Sequence, residues 1–435
     1  MKNLNKIALT IIAIFLLMIW SGIVRNVVLG EQTLGVFVKP IKSFSEMLSN
    51  MKQAYTHYLV APSYYLKTNE EDLKDINNLT YDLYGVYSYR SGDKFNIELK
   101  NFRNNIIKHN WEVEVKSLLK HYTVAQNDRL FPVTLLKDFD IIVSCDEQPG
   151  LMRLDSTSHQ KWYNKDFIFH HAINLDSLGN IWIPAVKHDQ GIITPNVLMI
   201  ENNKHYYRDD IIAKVDVITG KTMYSKSLTE IFMENGLEDE INKSVYPIDP
   251  FHLNDIQPAL FTSDYFNEGD LFLSFRHLSM IMQFRPSTNK VVRVIEGPFL
   301  FQHDVDIISN NSIALLNNNT IGHHSKGYDF EFKPTKQTFE RKIDHSSVLI
   351  YNFEEGSFTP LYEDVFIENG IFTDAEGLYN ILPNGDLFFE EQGPGILWVV
   401  NKDGVVLKTT LKSNIEGYHY LPNWTTTYTN ETLNR

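Results

Sequence analysis

Along most of this chain apolar and polar residues alternate, and short polar turns interrupt the alternation. A period of two predicts β-strands with two distinct faces. The pattern recurs as a hairpin, in FNIELKNFRNNIIKHNW (Phe95–Trp111), GLMRLDSTSHQKWY (Gly150–Tyr163) and IAKVDVITGKTMYS (Ile212–Ser225). It returns in MIMQFRPSTNKVVRVI (Met280–Ile295), VLIYNFEEGSFTPLY (Val348–Tyr362) and ILWVVNKDGVVLKT (Ile396–Thr409). Thr-Gly, Glu-Gly and Asp-Gly pairs mark the turns of three copies. A second element, strand–turn–strand, precedes five of the hairpins. It reads FPVTLLKDFDIIVS from Phe131, HHAINLDSLGNIWIP from His170, HLNDIQPALFTSDYFNEGDLFLSF from His252, QHDVDIISNNSIALL from Gln302 and EGLYNILPNGDLFFE from Glu376. Copies spaced by about 50–70 residues predict an all-β fold, a six-bladed β-propeller over residues 81–435. In that architecture the first strand of each blade lines one axial channel, so matched positions converge on one funnel. The tail NIEGYHYLPNW alternates like such a strand, and strands from both ends of the region are expected to complete the last blade.

The N-terminus follows a different pattern. Ile7 to Val24 (IALTIIAIFLLMIWSGIV) carries no charge. At about 1.5 Å per helical residue that run spans about 27 Å, the thickness of a hydrocarbon core. Lys2 and Lys6 precede it and Trp20 lies near its far end, as at a membrane interface. No small-x-small cleavage site follows Gly22, which favours an uncleaved anchor over a removed signal peptide. Residues 1–30 are therefore expected to be a cytoplasmic tip and transmembrane helix, with the body outside the cytoplasm. Pro40–Leu59 repeats apolar residues at helical spacing after a proline suited to a first turn, so 31–80 is expected to be a short membrane-proximal helical stalk.

Composition narrows the function. Of 435 residues 43% are hydrophobic and 13% aromatic, enough for a large core, and the formal net charge is −14. That charge excludes a nucleic-acid partner, which needs concentrated Lys and Arg, and an anionic substrate would need a local positive site. Cys145 is the only cysteine, so no intrachain disulfide exists. A secreted eukaryotic body of this size usually carries several, which points to a bacterial envelope, the periplasmic side. Oligomeric state is not legible.

Chemistry enters through the second element. His171 and His303 each stand eight residues before the turn positions Gly179 and Asn311. His252 opens the corresponding strand, and Asn254 shares its face two residues on. Arg276 ends the strand after that turn. Three histidines and an arginine are thus expected in one funnel.

The motifs HHAIN with GNIW, FHLND followed by SFRHLS, and FQHDVDI resemble those of the bacterial arylsulfotransferases, six-bladed propellers, over Tyr84 to Trp424. The resemblance implies transfer of a sulfuryl group from a phenolic sulfate ester to a phenol acceptor, with neither a nucleotide sulfate donor nor a cofactor. It implies His303 as the covalent histidine, His252 and Arg276 as catalytic partners, and Asn254 as substrate-binding. The remaining histidine is His170 or His171. His171 is taken as catalytic because it aligns with His303, while His170 aligns with Gln302 and is assigned to substrate binding. An imidazole is mostly neutral at pH 7, and a neighbouring guanidinium disfavours its protonation, so a ring nitrogen stays free to attack sulfur. Family enzymes carry a β-sandwich and a disulfide ahead of or within the propeller; here the preceding segment reads helical and Cys145 has no mate. Two rival readings differ in class. Three histidines could hold zinc, with Glu376 or Asp304 assisting, in a hydrolase or lactonase, although Arg276 opposes a cation, so no metal is expected. A non-catalytic envelope scaffold has no need of a His- and Arg-filled funnel.

Overall fold

The computed structural model describes residues 2–28, 40, 65–68, 74–114, 129–145, 148–189, 191–200, 203–244, 246–320 and 345–433. The chain divides into two compact units, Met1–Ser63 and Tyr64–Arg435.

In the first unit, Lys2–Val28 forms one helix, α1, and Ile12 to Trp20 present exposed apolar side chains. Among the described residues no helix is long and apolar enough to cross a membrane. The stalk helix expected over Pro40–Leu59 lies, beyond Pro40, outside the described residues.

The second unit is all-β, built from antiparallel four-stranded meanders. Their first strands are labelled in chain order: β1 (Leu130–Leu135), β2 (Asn174–Leu175), β3 (Leu253–Pro258), β4 (His303–Ser309), β5 (Leu378–Ile381) and β6 (Asn423–Thr429). β1 leads into Ile141–Cys145, Pro149–Leu154 and Gln160–Phe169, and β2 into Ile181–Val186, Asp210–Val215 and Thr222–Ser227. These two groups join into one sheet where Ile168 and Phe169 pair with Val186 and Ala185. β3, β4 and β5 each open a separate sheet in the same manner. β6 is different: it comes last in the sequence but pairs with Leu83–Ser91, followed by Lys94–Asn101 and Ile106–Glu114. All six hairpins and all five strand–turn–strand elements read from the sequence are antiparallel pairs here.

Two expectations need correction. Tyr65–Lys67 and Ile76–Asn77, assigned to the helical stalk, are short strands that extend the sheet of β5. They are too brief to leave a periodic signal. In the tail, Tyr418–Tyr420 sits between Gly404–Lys412 and Tyr65–Lys67 at the outer side of that sheet; the first strand of a meander is β6 instead.

Side-chain bonds link the first strands in a circuit. Thr426 of β6 donates to the Val133 carbonyl of β1 (3.4 Å), and Thr134 to the Ile173 carbonyl at the edge of β2 (3.4 Å). Asn174 donates to Asp255 of β3 (2.7 Å), which accepts from the Val305 N–H of β4 (2.8 Å). Asp304 accepts from the Tyr379 N–H of β5 (3.1 Å), and Asn380 donates to Thr427 back on β6 (3.0 Å). All of these strands but β3 border a cavity of about 330 Å³, lined by Thr134, Asn174, Asp304, Tyr379 and Trp424, among others. The core lies between neighbouring sheets, as where Trp182, Ile212, Phe232, Phe251, Phe275 and Met282 pack together, all buried. Gly220 shows how tightly one turn is held: it has φ +71°, and a Cβ there would meet the Trp162 ring at 2.5 Å.

Candidate active site

At the starts of these first strands the backbone takes an unusual conformation. His171, His252, Asp304, Glu376 and Trp424, each at the start of a different first strand, all have positive φ, between +47° and +57°. Non-glycine residues adopt this region at a cost that surrounding structure must offset, and such positions cluster at functional sites. The equivalence also corrects the sequence alignment. Counting back from the turns paired His171 with His303, but His171 matches Asp304 in backbone conformation. The turns differ in length: Leu175 pairs with Ile181 across a five-residue loop, Ser309 with Ser312 across two residues.

The predicted histidines do come together. The rings of His171 and His252 lie 5.1 Å apart and those of His171 and His303 6.4 Å apart, with Trp424 5.5 Å from His171. His303 is 1% exposed, and its Nδ1 lies 2.7 Å from Asn318 Oδ1. The Asn318 amide nitrogen donates to the carbonyls of Thr373 (3.1 Å) and Glu376 (2.8 Å). Its oxygen must therefore accept, which places the proton on His303 Nδ1 and leaves a lone pair on Nε2. Burial, then the Arg276 charge, pushes the His303 pKa down to about 3.

His252 holds its Nδ1 2.6 Å from Asp249 Oδ2, so its Nε2 is likewise free to accept a proton. Burial and the guanidinium groups of Arg276 and Arg208 hold its pKa well below the ordinary value. Next to it, His277 donates from Nδ1 to the Asp249 carbonyl (2.6 Å) and accepts at Nε2 from Arg276 Nη1 (2.8 Å). Burial first, then the neighbouring His252, brings it to about 3. Arg276 follows the strand Leu271–Phe275; its backbone N–H bonds the His252 carbonyl (3.1 Å), and its guanidinium lies 5.0 Å from the Phe301 ring. Arg276 Nε and Nη2 are buried and have no hydrogen-bond partner among the described residues. Buried, charged donors left unpaired are costly, and an anion would satisfy them.

The remaining predicted residues lie around this group. His170 and His171 face each other through their Nδ1 atoms at 2.6 Å, so one of the two carries the bridging proton. His170 Nε2 is 3.4 Å from Asp210, which Arg208 also contacts (3.1 Å) and which accepts the Leu253 N–H (2.7 Å). Burial lowers the pKa of both, His171 the more strongly. Asn254 is fully buried and its amide donates to the Gln302 carbonyl (2.7 Å), anchoring the residue before His303.

Sequence reasoning did not single out Asp249, His277, Asn318 or Trp424. His277 stands inside the quoted SFRHLS motif; the other three carry no signal beyond their neighbourhood. Glu376 forms a two-pronged pair with Arg129, at 2.9 and 2.7 Å, which lowers its pKa against the effect of burial. The ligand atoms of Asp249, His252 and His277 do lie within 4.8 Å of one another. A cation fits them poorly, because both His277 ring nitrogens are already bonded and one of them contacts a guanidinium.

A family model for Arylsulfotransferase (ASST) matches residues 133–411, a span that contains every histidine of this cluster together with Arg276 and Asn318. The chain belongs to the arylsulfotransferase (ASST) family. Membership assigns it to the aryl sulfate sulfotransferase enzymes. Arg129 and Trp424, which border the arylsulfotransferase site, fall outside the matched span. No curated protein matches the chain. Among solved structures, a protein of unknown function from Bacteroides caccae is 11% identical, covers 78% of this chain and 97% of its own, and has a TM-score of 0.47. Virginiamycin B lyase from Staphylococcus aureus is 9% identical over 66% of this chain and 75% of its own (TM-score 0.36). The Dos1 propeller is 10% identical over 81% and 76% (TM-score 0.39). With TM-scores below 0.5, none of these likenesses bears on the chemistry.

Proposed function

We propose that this arylsulfotransferase moves a sulfuryl group from a phenolic sulfate ester to a phenol through a sulfohistidine at His303, without a nucleotide sulfate donor. The observation that carries the reading is the Asn318 contact, which leaves His303 Nε2 unprotonated while the charge of Arg276, with its two unpaired nitrogens, acts on the ring. In the first half-reaction Nε2 attacks sulfur; the N–S bond forms, the S–O bond breaks, and the donor leaves as phenolate. The positive charge that develops on the ring is shared through Nδ1–H with Asn318 Oδ1. Arg276 holds the sulfuryl oxygens as charge redistributes over them. In the second half-reaction His252 Nε2 takes the proton of the acceptor phenol while its oxygen attacks sulfur and the N–S bond breaks. His252 then releases that proton to solvent, which balances the proton taken up there by the phenolate released in the first half-reaction. His170 and His171 form a second proton-bearing pair beside His303.

We further propose that the meanders of 81–435 are the six blades of one closed propeller, which the hydrogen-bond circuit through β1–β6 supports. The uncharged run in α1 supports an anchored body on the extracytoplasmic side. The chemistry is tested by incubating the protein with p-nitrophenyl sulfate alone and mapping the label by mass spectrometry. One sulfuryl group is expected on the peptide containing Gln302-His303-Asp304, together with ping-pong kinetics when a phenol is added. His303→Ala should lose both label and turnover; transfer at the wild-type rate in that variant would overturn the proposal.

A further inference from the structure

Asp249 lies in the loop before His252, outside every motif that identified the site, yet it touches two of its parts. Its Oδ2 is 2.6 Å from His252 Nδ1, and its backbone carbonyl takes the Nδ1–H of His277 at 2.6 Å. The carboxylate also lies 3.6 Å from His277 Nδ1. His277 passes the contact on, since its Nε2 accepts from Arg276 Nη1 at 2.8 Å. The two rings stand 4.4 Å apart, and Tyr246 stacks on His277 at 4.1 Å, which leaves His277 little room to turn. A backbone bond from Arg276 N–H to the His252 carbonyl closes the loop. The other carboxylate oxygen, Oδ1, is buried with no hydrogen-bond partner.

We infer that Asp249 is a positioning residue for sulfuryl transfer: its side chain orients His252 as the proton acceptor, and through His277 it fixes Arg276 where the sulfuryl oxygens bind. The inference rests on the proposed function. It gives the base and the anion clamp a common reference point, so the distance between proton acceptor and sulfuryl group is held by one loop. The negative charge also raises the basicity of His252, against burial and the positive groups around it. The groups facing His252 are Asp249 from its own loop, Arg276 and His277 from the turn after Leu271–Phe275, Arg208 and Asp210 from the sheet of β2, and His170, His171 and His303 at the mouths of neighbouring strands.

Asp249→Asn keeps the volume and an acceptor for His252 but removes the charge. In the full chain, with folding checked by circular dichroism, this variant should still take label at His303 from p-nitrophenyl sulfate. Its transfer to added phenol should slow by about 10²-fold, the share a general base supplies. The acidic limb of that half-reaction should move to lower pH, since a less basic His252 stays deprotonated further down. His277→Gln, which can still donate to the Asp249 carbonyl and accept from Arg276, should keep donor KM near wild type, whereas His277→Phe should raise it. An unchanged acceptor pH profile in Asp249→Asn, with normal labelling of the wild type, would overturn the inference alone. No label on wild-type His303 would overturn the proposed function instead. Loss of wild-type activity to a chelator and recovery with zinc would make Asp249, His252 and His277 a metal site and would also overturn it. If Asp249→Asn does not fold, the two His277 variants decide: equal donor KM in both removes the link from Asp249 to Arg276.

Discussion

Arg276 and Asn318 represent opposite ways of preparing a site. Asn318 spends every hydrogen-bonding atom on neighbours and so dictates which nitrogen of His303 is protonated. Arg276 gives up one nitrogen to His277 and keeps two in reserve. Replacing it with alanine should therefore cost the fold little and the reaction much. A drop of about 10²–10³ in turnover is expected, the usual worth of one preorganised charge donor, with the melting temperature preserved. Arg276→Lys should recover only part of that, because an ammonium cannot bridge to His277 and also present two donors in a plane. Steady-state rates beside a thermal melt check both. At this scale the sequence carried the repeated histidines and the motif arginine, since they recur in strand after strand. It did not carry Asn318 or Asp249, whose roles exist only once separate segments meet. The alignment of His171 with His303 failed by one position because hairpin loops of two and five residues look alike when only the distance from the turn is counted.

Carboxylates are the fasteners between meanders. Asp210 accepts the Leu253 N–H, Asp255 that of Val305 and Asp304 that of Tyr379, each reaching from one sheet to the next. Glu390 takes both Trp424 N–H (2.9 Å) and Thr425 N–H (2.8 Å), holding β6 against the sheet of β5. Glu390→Ala strands two buried N–H groups, each costing about 1–3 kcal/mol. A lower denaturant midpoint with an unchanged slope is the expected result, and Glu390→Gln, which keeps one acceptor, should fall between the two proteins. The hairpins themselves were readable from alternation and turn residues. The fasteners were not, because an acidic residue at a strand end looks like any solvated polar position until its neighbour in space is known.

For the molecule as a whole, burying so many ionisable groups sets the response to pH. Burial raises Asp306 to about 6, Glu390 to about 7 and Asp255 to about 8, and lifts Asp304 well above the carboxylate range. The folded chain holds these protons more tightly than the unfolded one, so their stabilisation is complete below about pH 4 and is lost as pH rises through the folded values. The site histidines act in the opposite sense. Their folded pKa values are depressed, so their contribution is present above about pH 6.5 and declines as the solution becomes more acidic. Asp306→Asn should remove one of the acidic terms, so that between about pH 4 and 6 its melting temperature falls less, or rises more, with pH than that of the wild type, where the histidines act in the opposite sense. An unaltered slope over that window would show that Asp306 is ionised throughout.

The pairing of β6 with Leu83–Ser91 has a consequence for biosynthesis. Trp424, which stands beside His171, leaves the ribosome more than three hundred residues after Leu83–Ser91, the strand that pairs with β6. Until translation reaches that point the nascent chain has an open sheet edge and a pocket lacking one wall. Contacts so distant in sequence form late and slowly. A message cut short after codon 412 should therefore yield a sticky, inactive product despite encoding every proton-carrying and anion-binding residue of the site, and activity measured on a growing polypeptide should switch on in a single step once β6 has emerged.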